Sequence, residues 1–142
     1  MSIRVISNVS NDEKRIFNNV GTISSATTLT AADSGKWYKL NNATGVTVTL
    51  PALKSGVNFK FIVAAAFATS NFIIDSAEGD NIEGVLVVNG ASVVASGEDQ
   101  INFVNTAESA GDTVTLRSNG TNWYISAATA SSSGAITCTD PS

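Results

Sequence analysis

The sequence predicts an all-β fold, a single-domain antiparallel β-sandwich or jelly-roll-like fold with an extended N-terminal arm, and three observations carry that expectation. From about residue 36 onward, short runs of β-branched and aromatic residues alternate with polar ones. Glycine falls in the gaps between these runs, at Gly79, Gly84, Gly90 and Gly97 among others. Ser118-Asn119-Gly120-Thr121 separates two alternating stretches, residues 113–117 and 122–126, and Asn-Gly readily takes the positive φ values of a type I′ hairpin turn.

Taken in order, residues 1–30 have weak periodicity and few large apolar side chains, which fits an N-terminal arm. Within it, Ser10 with Glu13 makes a capping box that opens a short helix over residues 11–17. The β-domain spans residues 31–127. In residues 45–50, Val46, Val48 and Leu50 share one face and Thr47 and Thr49 the other, until Pro51 stops the strand. Phe59, Phe61 and Val63 share a face after the Lys54-Ser55-Gly56 turn, which predicts a hairpin from Pro51 to Val63. Residues 63–68 continue that pattern as strand and loop. Short apolar runs follow at 72–74, 85–88, 92–95 and 101–104. Residues 128–142 form a Ser/Thr-rich C-terminal tail with one small β signal at 135–137, and both ends are expected to order only against neighbours. Trp-Tyr occurs twice, at Trp37-Tyr38 and Trp123-Tyr124; two dipeptides do not make a repeat.

The chain has 142 residues, enough for one domain with a substantial core. Apolar residues make up 43% and charged residues 14%, so the surface is largely neutral Ser, Thr, Asn, Ala and Gly. Such a surface can be covered by neighbouring subunits at low desolvation cost. Net charge is −4, and the eight basic residues, Arg4, Lys14, Arg15, Lys36, Lys39, Lys54, Lys60 and Arg117, are scattered, which argues against nucleic acid as a partner. The longest apolar run, residues 61–68, is far short of a membrane span, and the first residues lack an apolar signal-peptide core. The expectation is synthesis in the host cytoplasm with no membrane partner.

Chemistry finds little purchase. The chain has no histidine and one cysteine, Cys138, which excludes His-based triads, His-ligated metal and thiolate zinc clusters. Neither GxxxxGK[ST] nor a strand–GxGxxG–helix pattern is present. Cys138 reads as a small apolar side chain. Asp75, Glu78, Asp80 and Glu83 crowd a glycine-bearing stretch whose oxygens could hold Ca²⁺, but the spacing is not that of an EF-hand, and a solvated turn is the expectation for residues 75–83. Paired-carboxylate sugar hydrolysis would also need an aromatic-lined cleft, and the ten aromatic residues fall mostly on apolar strand faces. No catalytic residue, cofactor or metal ligand is assigned.

The order of motifs is similar to that of a known group of proteins. Trp37-Tyr38-Lys39-Leu40 is followed by Gly45-Val46-Thr47-Val48-Thr49-Leu50-Pro51, then Gly56-Val57-Asn58-Phe59-Lys60-Phe61, then Glu78-Gly79-Asp80-Asn81-Ile82-Glu83-Gly84, and last by residues 111–124. This order, over residues 36–127, resembles virion structural proteins of tailed bacteriophages, especially small capsid decoration (cement) proteins; similar cassettes occur in tail-fibre modules. The resemblance implies a homotrimer on the capsid exterior that clamps the major capsid protein after the shell expands. Residues 1–20 would lie on the capsid or a neighbouring subunit, and their deletion would abolish binding. A tail or tail-fibre component with a host-binding role is the alternative; a chain that starts at its own Met1 and ends soon after its last strand favours decoration. A free carbohydrate-binding module would instead require Trp37 or Trp123 as an exposed platform.

Overall fold

The chain winds three times between two layers before it folds back on itself. The computed structural model describes residues 19–141. The short helix expected at 11–17 and most of the expected arm lie outside the described residues. Strands β1 (Val20–Ile23), β3 (Trp37–Leu40) and β5 (Asn58–Val63) pair in parallel in one sheet. Strands β2 (Thr27–Thr28), β4 (Thr47–Thr49) and β6 (Phe72–Asp75) pair in parallel in the other. Each odd strand is thus followed by a crossing to the opposite layer, so the first half is a three-rung coil.

The register of the rungs explains their composition. Ile23, Leu40 and Val63 stand in line across β1, β3 and β5, all buried. In the next inward row Gly21, Tyr38 and Phe61 align, with the Tyr38 and Phe61 rings stacked at 6.0 Å. A Cβ on Gly21 would lie 2.7 Å from Tyr38 Cε1, so glycine makes room for the ring.

The second half is built mostly from hairpins. β7 (Ile82–Val88) and β8 (Ala91–Glu98) are antiparallel, and β10 (Thr113–Ser118) and β11 (Trp123–Ala130) are antiparallel. They join the first sheet, whose seven strands run β1-β3-β5-β10-β11-β7-β8. β9 (Gln100–Phe103) and β12 (Ile136–Thr139) complete the second, ordered β12-β9-β6-β4-β2. The core lies between the sheets, where Phe59 packs against Trp123 at 6.2 Å and so joins coil to hairpins. Phe67, in the loop after β5, sits edge-on to Phe72 at 5.0 Å. Among the described residues no helix is long and apolar enough to cross a membrane.

The all-β sandwich is therefore present, with sheets that mix parallel and antiparallel pairs. The hairpin expected from Pro51 to Val63 is not formed. The Lys54 turn exists, closed by Val57 N donating to Lys54 O at 3.2 Å, but β4 and β5 belong to opposite sheets, and the turn carries the chain across the core. Of the 1–30 segment, residues 20–28 are sheet edges that bury Ile23, with buried Leu29 just beyond them. Of the 128–142 tail, Ala128–Ala130 extend β11, and β12 pairs with β9, so this end is ordered within the chain itself. The hairpin at 113–126 is formed, through a four-residue loop in which Asn119 Oδ1 accepts from Thr121 N and Asn122 N. The two-residue turn with positive φ at both positions is instead Asn89-Gly90, φ 50° and 76°, between β7 and β8.

Candidate interaction face

The outward face of the seven-stranded sheet has no layer above it among the described residues. Registers place its side chains in rows. Lys60 stands opposite Trp37 on one side and Thr115 on the other, and Thr115 opposite Ala127. Arg117 stands opposite Tyr124, and Tyr124 opposite Glu83. Val85 pairs with Val94 at the far edge. The half formed by β3, β5 and β10 is basic and includes Lys39, Lys60 and Arg117, with Lys60 Nζ 5.3 Å from the Trp37 ring centroid.

The half formed by β11, β7 and β8 is largely apolar, its charges being Glu83 and Glu98 at one end of the β7–β8 pair. Val94 is 66% exposed and Val85 51%, with Val87 and Tyr124 beside them. Two neighbouring features extend this strip. β8 is an edge strand whose only charged residue is Glu98, so it lacks the Lys or Pro that blunts most free edges. Gly84, at φ 139°, lets β7 approach β11 where the parallel register shifts; a Cβ there would lie 2.9 Å from Ile125 Cβ.

The acidic stretch singled out in the sequence is not one cluster. Asp75 accepts from Gln100 Nε2 at 2.7 Å, and Glu83 Oε1 accepts from Gly97 N at 3.1 Å. Asp80 N donates to Ala77 O at 2.8 Å, within a turn. Glu78 alone approaches other carboxylates, those of Asp99 and Asp140. The two Trp-Tyr pairs face opposite ways. Trp37 points outward and Tyr38 inward, whereas Trp123 is fully buried and Tyr124 points outward. Trp123 is no exposed platform, and its indole N–H is buried with no partner among the described residues. Cys138 is half-buried, and burial, with Glu98 nearby, pushes its thiol up to about 12, which keeps it protonated and unreactive at neutral pH.

Comparison of the chain with protein-family models and with curated proteins gives no match.

The exposed valines do not stand out in the sequence, because they lie in runs that read simply as strand. A signal was there. Val85-Leu86-Val87-Val88 and Val93-Val94 are apolar at consecutive positions, whereas a strand with one solvated face alternates.

Proposed function

We propose that the protein is a structural component of a tailed-phage particle, a capsid decoration protein that binds the outer surface of the head as an oligomer. The observation that carries this reading is the exposed apolar strip of Tyr124, Val85, Val87 and Val94 beside an edge strand whose one charge is Glu98. Contiguous exposed apolar side chains on a water-facing sheet mark a surface that another protein covers. The motif order over residues 36–127 supplies the kind of partner, the major capsid protein and two further copies of the chain. Many modest contacts of this sort, repeated over a symmetric shell, stabilise it without any reaction centre.

One observation favours the second reading, a tail or tail-fibre component. The parallel coil of β1 to β6 is the geometry by which fibrous β-proteins stack rungs, and among the described residues β1 and β2 are the edge strands of the two sheets.

Sedimentation with decoration-free heads tests the decoration reading. Wild-type protein should co-sediment at saturating copy number, and Val94→Lys with Val85→Lys should lose binding at least tenfold while melting within a few degrees of wild type, since both sites are on the surface. Failure of the wild type to bind, or undiminished binding by the double variant, would overturn it.

A further inference from the structure

The large apolar side chains that stand well into solvent among the described residues all lie on the outward face of the seven-stranded sheet, and they fall into two groups. Val20 on β1 and Trp37 on β3, directly opposite each other, form the first at 40% and 36% exposure. Val85, Val87 and Val94 on β7 and β8, with Tyr124 on β11, form the second. In the strand order β1-β3-β5-β10-β11-β7-β8 the two groups sit towards opposite edges. The zone between them is polar and bonds within the chain: the Thr113 and Thr129 hydroxyls lie 3.3 Å apart, and Ser126 Oγ donates to Thr115 O at 3.3 Å.

Charge follows the same division. β1, β3 and β5 carry Lys39 and Lys60 and no carboxylate, whereas β11, β7 and β8 carry Glu83 and Glu98 and no lysine or arginine. Among the described residues the one ion pair is Lys36 with Asp33, so neither Lys39 nor Lys60 is matched there by a carboxylate. Each edge therefore presents an apolar group beside one sign of charge, and the opposite edge presents an apolar group beside the other sign. Two surfaces of that kind fit each other.

We propose that the β7–β8 edge of one copy docks on the β1–β3 edge of the next, so that copies of the chain join head to tail. The inference rests on the reading that the apolar strip is covered by protein, and it names a second copy as the cover. Pairings of like with like fit less well. A β8 strand set against a second β8 would leave Val20, Trp37 and both lysines uncovered. Two whole faces stacked about a two-fold axis would also bury the hydroxyl-rich middle, at a desolvation cost that no apolar contact offsets there. A contact between two different surfaces is heterologous, and its repetition closes into a ring of three or more chains.

Sedimentation velocity of the full chain and of two charge variants tests the contact. Wild type should form a closed species of three or more chains at micromolar concentration. Val94→Lys puts a positive charge where the lysine-bearing edge docks, and Val20→Glu a negative one where the glutamate-bearing edge docks. Each should weaken association at least tenfold, and both should melt within a few degrees of wild type, since both side chains are exposed on edge strands. Mixed one to one, the two variants should associate again, because the intact edge of one meets the intact edge of the other. A monomeric or two-chain wild type, full association by Val20→Glu, or a mixture that stays monomeric would overturn the proposal. Sedimentation with decoration-free heads separates it from the reading beneath it. Val20→Glu leaves the strip itself intact, so equal uptake of wild type and Val20→Glu would refute the head-to-tail contact and leave decoration standing, whereas a wild-type ring that ignores heads would refute decoration alone.

Discussion

The coil of β1 to β6 and the hairpins of β7 to β12 share one core but are held by different means. In the coil, strands paired side by side are about twenty residues apart in sequence, each reached through a crossing of the core, and stability rests on aligned inward rows such as Ile23, Leu40 and Val63. In the second half, β7 with β8 and β10 with β11 are joined by turns as short as Asn89-Gly90, and in these pairs the turn itself sets the register. Charge divides along the same line. Four of the five described basic residues, Lys36, Lys39, Lys54 and Lys60, lie in the coil, whereas Glu78, Asp80, Glu83, Glu98, Asp99, Glu108, Asp112 and Asp140 lie beyond β6. One half of the molecule is organised by packing between rungs, the other largely by two hairpins with local turns.

The largest effect should come from the residue that joins the halves. Phe59 is fully buried on β5 and touches Tyr38, Phe61 and Trp123. Phe59→Ala should cost about 3–5 kcal/mol and lower one cooperative denaturation transition rather than split it. Two separate transitions in urea would show that coil and hairpins fold independently.

Two glycine substitutions sharpen the contrast between the halves. Gly45, in the coil, has φ 70°, and a Cβ there would overlap the backbone carbonyl of Ser70 and approach that of Asn71, neither of which can rotate away. Gly45→Ala should therefore cost about 1–3 kcal/mol for the forced backbone shift, on top of about 1 kcal/mol for left-handed strain. Gly90, in the β7–β8 turn, has φ 76° but nothing within 4 Å of its Cβ position. Gly90→Ala should cost only that strain, about 1 kcal/mol. Chemical denaturation of both variants checks the difference, and equal losses would mean that the rungs are no more tightly packed than the turn.

What the sequence made legible follows the same division. Alternation identified Phe59, Phe61 and Val63 as an inward row and placed the hairpin at 113–126, because both signals are local. Parallel pairing leaves no comparable local mark. Thr47-Val48-Thr49 reads the same whether its neighbour is β5, as expected, or β6, as found. Asn119-Gly120 reads as the type I′ turn, yet Asn89-Gly90 forms it, because both dipeptides carry the same preference and only strand register separates them. The outer valines and the Glu78, Asp99 and Asp140 corner depend on which strands become neighbours, which no single stretch of sequence encodes.

The central claim is that this chain acts as a particle component, and its place and number on virions test it most directly. Antibody-gold electron microscopy with gel densitometry against the major capsid protein should find hundreds of copies distributed over the head. A handful confined to the tail would contradict decoration in favour of the fibre reading, and absence from particles would contradict both.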